Sequence, residues 1–316
     1  MKKVVVLGGG TGLSVLLRGL KLFPIDITAI VTVADDGSSS GILRKEFDMP
    51  AVGDLRNVLV SLSYVEPMLE QLLQYRFKTN SDLNNHPMGN LMLAALFNIT
   101  GDLTDSLEAL SKILNIKGKV LPFTEDKPIL VAHTKDNEII EGESNITKAG
   151  KTIDYVEYKN DVKVTKEVLK SLKEADLIIL GIGGLYTSII PNLLSDEVKR
   201  VLINSRAKKM YVCNVMTEHG ETDGFKVSDC VNQLNKYVGK DFIDVVVANS
   251  KEIPFDIQKL YLEEESTPIL IDEEEINKMN VELIKDDLAI INNNQVRHDH
   301  LKTALAIFNY LIKEDQ

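Results

Sequence analysis

The fold is decided by Gly8-Gly9-Gly10-Thr11-Gly12-Leu13-Ser14, because of what stands on either side of this stretch. The apolar, β-branched run Lys3–Leu7 precedes it and predicts a buried strand. Apolar residues at helical spacing continue from Leu13 to Leu20, and a second apolar run, Ile25–Ala34, predicts the next strand. Strand, glycine loop, helix and strand make a βαβ unit, and such units build parallel sheets. The sequence therefore predicts an α/β protein with a parallel sheet.

Apolar spacing along the rest of the chain predicts further helices and strands. Residues 51–115 are expected to be mainly helical. A small antiparallel insertion is expected at about residues 119–158, with short runs at Val120–Phe123, Ile129–His133, Glu138–Glu141 and Asp154–Tyr158. Helices are then predicted at Val168–Glu174, Tyr186–Leu194 and Thr303–Lys313, and strands at Leu177–Leu180, Met210–Val215, Phe242–Ala248 and Pro268–Ile271. Because no linker-like segment interrupts this pattern, we expect one α/β domain over residues 1–316.

Composition limits the class of function. The chain has 316 residues, of which 44% are hydrophobic and 26% charged, as is usual for a globular protein. No apolar run approaches the roughly 20 residues of a membrane helix, so membrane insertion is not expected. The net charge of −11, without a basic stripe, argues against nucleic-acid binding. Cys213 and Cys230 are the two cysteines, both in apolar patterns, which indicates buried reduced thiols and a cytoplasmic location.

The first glycine loop is the candidate phosphate site. Glycines let the backbone approach a ligand closely, and the free N–H groups of a first helical turn attract an anion. Leu13 stands where a dinucleotide fingerprint has its third glycine, and the Gly-Lys-Ser/Thr of a P-loop is missing. The alternative is a tight turn without a ligand. The predicted phosphate contacts are Gly8, Gly9, Gly10, Thr11, Gly12, Leu13 and Ser14.

Other polar groups follow predicted strands or precede predicted helices, where parallel sheets bind ligands. The acidic pair before Gly37 could bind a ribose hydroxyl or Mg²⁺, or could form an Asx turn and helix cap. A second glycine loop spans Gly181–Ser188. His298 and His300 alternate, which does not suit one metal site, and no nucleophile elbow occurs, so neither a metal site nor a catalytic residue is expected. The remaining candidates are Asp35, Asp36, Ser39, Arg56, Asn57, Asn90, Gly183, Gly184, Tyr186, Asn204, Asn214, Thr217 and Thr222.

Seven motifs, taken together, resemble those of a known family. They are Gly8–Ser14, Ala34–Gly41, Gly53–Asn57, His86–Asn90, Leu185–Leu194, Val212–Thr222 and Arg297–Asp299. They stand in the order seen in YvcK-type proteins, also called GlmR or gluconeogenesis factors, within the CofD-like superfamily. The second loop departs from the family pattern, with Ile182 in place of a proline and Gly184 in place of a serine. The resemblance implies a Rossmann-like α/β fold of CofD type, and Tyr261 and Arg297 match positions that contact a UDP-sugar.

The resemblance also implies a function. YvcK-type proteins look like a non-catalytic branch that binds UDP-sugars such as UDP-N-acetylglucosamine, with no required cofactor. They support cell-wall precursor supply and cell shape under gluconeogenic growth, with glucosamine-6-phosphate synthase as the implied partner, and a homodimer is expected. Two alternatives stay open. One is a CofD-like transferase that moves a phospholactyl group from a nucleotide diphosphate donor, with Mg²⁺ near Asp36. The other is an NAD-dependent oxidoreductase, which the incomplete fingerprint weakens.

Overall fold

The computed structural model describes residues 1–65 and 67–313, which form a mixed α/β fold. The strands are β1 (Lys3–Gly8), β2 (Asp26–Val31), β3 (Lys119–Pro122), β4 (Leu130–Thr134), β5 (Ile139–Glu141), β6 (Ile153–Tyr158), β7 (Leu177–Leu180), β8 (Lys208–Val212), β9 (Val245–Asn249), β10 (Glu282–Asp286), β11 (Ala289–Asn292) and β12 (Gln295–His298). The helices are α1 (Gly10–Leu20), α2 (Ser38–Glu46), α3 (Gly53–Leu62), α4 (Pro67–Gln74), α5 (Met88–Thr100), α6 (Leu103–Ile113), α7 (Glu143–Ala149), α8 (Lys166–Glu174), α9 (Asp196–Asn204), α10 (Val227–Val238), α11 (Phe255–Leu262), α12 (Glu273–Ile276) and α13 (His300–Lys313).

A seven-stranded sheet in the order β10-β9-β8-β7-β1-β2-β3 forms the centre of the fold, and all of its pairs are parallel. From β1 the chain builds outward through β2 and β3 on one side, and later through β7 to β10 on the other. The strand order therefore reverses between β1 and β7. Open parallel sheets bind ligands at the carboxyl ends of the strands at such a reversal. The two glycine loops follow these two strands, so the topology brings them side by side.

Hydrophobic residues cover both faces of the sheet. Val4 and Val6 pack into one core with α1, α3, α5 and α13, whereas Val5 and Leu7 pack into the other with the insertion, α8 and α10. A strand buried on both faces reads as a continuous apolar run, as β1 does. Helix α1 approaches α13 so closely that a Cβ on Gly19 would overlap the backbone carbonyl of His300. None of the helices described is both long and apolar enough to cross a bilayer.

The predicted fold class is confirmed, but the predicted insertion begins too early. Residues 119–122 form β3, which pairs in parallel with β2 at the edge of the main sheet. The antiparallel sheet has the order β5-β4-β6 and starts at Leu130. A four-residue apolar run such as this looks the same in either kind of sheet, because only its distant partner distinguishes them.

Two other predicted elements differ from the structure. Pro268–Ile271 is not a strand, and Pro268 makes only an isolated bridge with Met216. A proline lacks the N–H that a strand interior needs. The predicted helix Tyr186–Leu194 is a wide π-type turn, Leu185–Ile189, followed by a 3₁₀ turn, Ile190–Leu193.

Candidate functional site

A cleft of about 550 Å³ opens where the carboxyl ends of β1, β7 and β8 meet. Both glycine loops and the segment after β8 form its floor. Helix α11 and the β11–β12 hairpin form one wall, and α7 of the antiparallel insertion contributes the other. The lining residues predicted from sequence are Gly10, Thr11, Gly12, Gly183, Gly184, Asn214, Thr217, Tyr261 and Arg297. Gly10 and Arg297, which are 287 positions apart in sequence, thus line the same cleft, because a parallel sheet brings the ends of its strands together.

The first glycine loop presents the amino terminus of α1 to the cleft. Gly10 has a φ of +70°, a backbone conformation that favours glycine. The first-turn amides of Thr11 and Gly12 have no acceptor within the helix. A Cβ on Gly12 would lie 2.6 Å from the carbonyl oxygen of Ile182, so the two glycine loops touch each other through their backbones. These geometric features suit the binding of a phosphate at α1.

Side chains of the protein bind several polar backbone groups of the second glycine loop, whereas in the first loop the Gly10 amide donates to Asp54. The Gly183 amide donates to Asn214 Oδ1 at 3.2 Å, and Asn214 Nδ2 donates to the Gly183 carbonyl at 2.9 Å. The Tyr186 amide donates to Glu221 Oε2 at 2.6 Å, and the Thr187 hydroxyl donates to Glu221 Oε1 at 2.6 Å. This loop is held in position from behind, and fewer of its donors remain for a ligand.

Arg297 is the cation of the cleft. Its guanidinium donates to the Val296 carbonyl at 2.9 Å and to Gln295 Oε1 at 3.1 Å, both within the same hairpin. Asp299, the nearest acid in sequence, instead accepts from the amides of Leu301 and Lys302 in α13. Arg297 is exposed and, within residues 1–65 and 67–313, no carboxylate is paired with it. Its charge is therefore available to an anion.

Three carboxyl groups with raised pKa values lie near the two glycine loops. Burial, reinforced by Asp35, raises the pKa of Asp54 to about 6, although the Gly10 amide donates to this carboxylate. Burial and the carboxylates of Asp35, Asp54, Asp36 and Glu221 raise the pKa of Glu143 to about 8. Burial, with Glu218 nearby, also raises the pKa of Glu221 to about 8. In the part of the chain described, no three of the acidic, histidine and cysteine side chains are grouped around a metal position.

Comparison with known proteins connects this arrangement to a family. The family model described as 2-phospho-L-lactate transferase CofD matches residues 4–289. The chain belongs to the CofD family. It is 47% identical to the gluconeogenesis factor of Bacillus subtilis over 313 residues, covering 99% of this chain and 98% of that protein. It is 43% identical to a putative gluconeogenesis factor of Thermotoga maritima over 306 residues, covering 96% and 97%.

Solved structures agree with this assignment to the CofD family. Two crystal structures of a Bacillus halodurans protein, one of them described as a member of the UPF0052 family, match with a TM-score of 0.94 and 46% identity. Each match covers 97% of this chain and 99% of the other. The family resemblance of the seven motifs and the CofD-type parallel core are thereby confirmed.

The CofD-family motif residues that do not line the cleft have partners elsewhere. Asp35 Oδ1 accepts from the Gly37 amide at 2.9 Å, which is an Asx turn. Asp36 Oδ1 accepts from the Ser144 amide at 2.9 Å, so it binds the start of α7. The Thr222 hydroxyl accepts from the Glu218 amide at 2.8 Å. These three contacts hold loops around the cleft rather than facing into it.

A second group of predicted residues forms a buried polar cluster beside the first glycine loop. Ser39 Oγ is 2.8 Å from His86 Nδ1 and accepts from Asn90 Nδ2 at 3.1 Å. Arg56 donates to Asn57 Oδ1 at 2.6 Å, and burial, with Arg76 nearby, lowers the Arg56 pKa to about 10. The starts of α2, α3 and α5 meet in this cluster, which lies outside the lining of the cleft.

The structure separates other predicted residues from the cleft surface. Leu13 and Tyr186 point into the hydrophobic cores, and Ser14 is buried and donates to the Gly10 carbonyl at 3.5 Å. Gly8 and Gly9 are buried behind Gly10. Asn204 is the last residue of α9 and donates to the Arg200 carbonyl at 2.7 Å, in a different surface depression. Asn204 is therefore not part of this site, because α9 carries it away from the strand ends.

Sequence reasoning missed three residues that shape the cleft. Glu143 comes from the insertion, and no motif marks it. Glu221 stands within the quoted stretch Val212–Thr222, where the two acids Glu218 and Glu221 were the available signal. His298 lines the cleft, is within hydrogen-bonding distance of the Cys213 carbonyl at 3.1 Å, and has its pKa lowered by burial to about 4.

Proposed function

We propose that this protein binds a UDP-sugar such as UDP-N-acetylglucosamine in the cleft and acts as a regulator. The observation that carries the proposal is Arg297, an exposed guanidinium without a carboxylate partner among the described residues, on the cleft that the first turn of α1 also lines. A chain with a net charge of −11 needs such local cationic compensation to hold a diphosphate.

The size and chemistry of the cleft support a nucleotide-sized ligand. Its volume of about 550 Å³ lies within the usual range of small-molecule sites. Helix-terminal amides at Thr11 and Gly12 can donate to one phosphate, and the planar guanidinium of Arg297 can donate to two phosphate oxygens. The Tyr261 ring lines the same wall as Arg297 and offers an apolar face to a base or sugar.

Two features of the cleft lining support a binding role, whereas Glu143, with its pKa raised to about 8, is the lining group best suited to proton transfer. Within the described residues, the lining contains neither a cysteine nor a lysine, and the Nε2 atom of His298 is held against the Cys213 carbonyl. The relatives named gluconeogenesis factor agree with a regulatory role. We therefore propose that the protein, as a homodimer without a required cofactor, supports cell-wall precursor supply and cell shape in the cytoplasm through glucosamine-6-phosphate synthase.

Calorimetry and thermal unfolding test the ligand directly. A ligand that binds only the folded state raises the melting temperature. UDP-N-acetylglucosamine should raise it and give a saturable titration, whereas NAD should do neither. If UDP-N-acetylglucosamine and UDP leave both signals unchanged at millimolar concentration, the proposed ligand class is wrong.

A CofD-like transferase is the second candidate, favoured by the match to the transferase family and by the carboxyl groups beside the first glycine loop. Under this alternative, Mg²⁺ with Asp36 would assist transfer from a nucleotide diphosphate donor. Incubation with phospholactyl nucleotide donors, a deazaflavin acceptor and Mg²⁺ distinguishes the two. Steady product formation that is lost in Asp36→Ala would establish the transferase and contradict the regulator.

A further inference from the structure

Glu221 occupies an unusual position beside the second glycine loop. Its side chain is buried, with the residue 3% exposed, and both carboxylate oxygens accept hydrogen bonds at 2.6 Å, from the Tyr186 amide and the Thr187 hydroxyl. Both donors belong to the first turn after Gly184, where the helical segment Leu185–Ile189 begins. Amides at such a start attract anions, because they lack acceptors within the helix. The group that accepts hydrogen bonds at this terminus is a carboxyl side chain of the protein.

The second glycine loop is closely packed on two sides. A Cβ on Gly184 would lie closer than 3 Å to the Thr187 hydroxyl oxygen and 2.8 and 3.1 Å from the two carboxylate oxygens of Glu221, so the glycine makes room for this hydrogen-bonded arrangement. On its other side the loop contacts the first glycine loop, since a Cβ on Gly12 would be 2.6 Å from the Ile182 carbonyl oxygen. A displacement of the second loop would therefore be transmitted to the amino terminus of α1.

We propose that Glu221 is a positioning residue that takes the place of a ligand phosphate at the second glycine loop. It holds that loop against the first one, so that the phosphates of the ligand bind at the start of α1 and at Arg297. This inference rests on the proposed UDP-sugar binding for its second half only. The first half, that Glu221 orders residues 183–189, concerns the protein without any ligand.

The contacts explain why a carboxylate or its amide analogue is required. A carboxylate can accept both hydrogen bonds at once. A glutamine can accept from the Tyr186 amide through its carbonyl oxygen and donate to the Thr187 hydroxyl through its amide, since a hydroxyl also accepts. An alanine can do neither and would leave a buried donor without a partner. Glu221→Gln and Glu221→Ala thus separate hydrogen-bond geometry from side-chain removal.

The experiment combines hydrogen exchange with ligand titration on the full chain. Amide exchange over residues 183–189 is measured without ligand in the parent, Glu221→Ala, Glu221→Gln and the surface control Glu197→Ala. We expect exchange in this segment to be about tenfold or more faster in Glu221→Ala, while the strands β1 and β7 keep their protection. Glu221→Gln and Glu197→Ala should stay within about threefold of the parent.

Titration with UDP-N-acetylglucosamine supplies the second readout. Glu221→Ala should bind about tenfold or more weakly, and Glu221→Gln should restore most of the affinity. If Glu221→Ala does not fold, Thr187→Val removes one of the two hydrogen bonds and Thr187→Ser keeps it, so faster exchange over residues 183–189 is expected in the valine variant alone.

The outcomes distinguish this inference from the proposed function. Parent-like exchange over residues 183–189 in Glu221→Ala, or in Thr187→Val where Glu221→Ala does not fold, overturns the ordering role. Equally fast exchange over residues 183–189 in Glu221→Gln and Glu221→Ala also overturns the ordering role, because the hydrogen-bond geometry would then not be what Glu221 provides. Faster exchange with unchanged affinity overturns the link to the phosphates. If the parent itself does not bind UDP-N-acetylglucosamine, the proposed function fails, and the exchange results still decide whether Glu221 orders the loop.

Discussion

The phenolic oxygen of Tyr261 accepts a hydrogen bond of 2.8 Å from the backbone amide of Val296. This contact joins α11 to the β11–β12 hairpin one residue before Arg297. Val296 itself is buried, so its amide depends on this acceptor rather than on water. Tyr261 therefore acts on the site in two ways, as a ring in the cleft wall and as the anchor of the hairpin that carries the cation.

Removal of the Tyr261 hydroxyl alone, with the ring kept, should weaken ligand binding. Tyr261→Phe leaves the Val296 amide without its acceptor, and such a loss costs about 1–3 kcal/mol in the folded protein. We expect a UDP-N-acetylglucosamine affinity about three- to tenfold lower, and a larger loss in Tyr261→Ala, which also removes the ring. Calorimetric titration measures both. Equal affinity of Tyr261→Phe and the parent would show that the hairpin needs no such anchor.

Gly12 should tolerate no side chain, because the backbone of the second glycine loop packs directly against it. In Gly12→Ala the added Cβ would be 2.6 Å from the Ile182 carbonyl oxygen, and backbone cannot easily yield. We expect a lower melting temperature together with weaker UDP-sugar binding. Gly8→Ala is the matched control in the same loop, because its Cβ would meet its nearest neighbour, Leu13, at an ordinary 3.6 Å. A Gly12→Ala protein as stable as Gly8→Ala contradicts the contact between the loops.

Local signals explain how much of this arrangement could be predicted. The run Lys3–Leu7, the glycines and the helix after them are adjacent in sequence, so their βαβ pattern predicted the parallel sheet. The sheet in turn predicted that loops following its strands meet at one edge, and this is where Asn214 and Gly183 lie. Residues 119–122 were misassigned because their strand type depends on β2, about 90 residues earlier in the chain.

Local sequence signals could not predict which side chains position the loops. Glu221 contacts Tyr186 and Thr187, which are 35 and 34 residues away, and Asp36 binds Ser144 across 108 residues. No periodicity or spacing marks a contact of this kind, because the partner is fixed only when the sheet has formed. The sequence motifs thus indicated which loops line the cleft, while the fold decides which of their residues face into it.

The stability of the protein should depend on pH in an identifiable way. Burial raises the pKa of Glu143 from 4.5 to about 8, so between these values the folded state holds a proton that the unfolded state has released. The contribution of Glu143 to stability should therefore fall as the pH rises from about 4.5 to 8. His298 acts in the opposite sense, because its pKa falls from 6.5 to about 4 and the unfolded state binds the proton first. His298 opposes the effect of Glu143 only below about pH 6.5, so a decline in stability is expected between about pH 6.5 and 8.

Melting temperatures across this range measure the effect, with Glu143→Gln as the informative variant. The glutamine cannot ionise, so the decline above about pH 6.5 should become shallower, although Glu221 still contributes to it. The net charge of −11 acts in the same direction in both proteins, and the difference between them isolates Glu143. A melting temperature that rises steadily from about pH 6.5 to 8 in the parent contradicts the assigned direction.

Arg297 should contribute to ligand binding and little to folding. In the described part of the chain its guanidinium donates to Val296 and Gln295 of its own hairpin, and Asp299 is engaged with α13 instead of pairing with it. Removal of the side chain therefore breaks no ion pair among residues 1–65 and 67–313. Arg297→Ala should leave the melting temperature without ligand nearly unchanged and weaken UDP-N-acetylglucosamine binding about tenfold or more, which corresponds to about 1.4 kcal/mol or more.

Arg297→Lys is the control that separates charge from shape. A lysine keeps the positive charge but cannot donate to two phosphate oxygens through a planar fork, so it should restore only part of the lost affinity. High salt should weaken the parent more than Arg297→Ala, because exposed charges are screened. If Arg297→Ala binds UDP-N-acetylglucosamine as tightly as the parent, the diphosphate does not lie between α1 and the β11–β12 hairpin. The proposed position of the ligand in the cleft would then be wrong, whatever the ligand is.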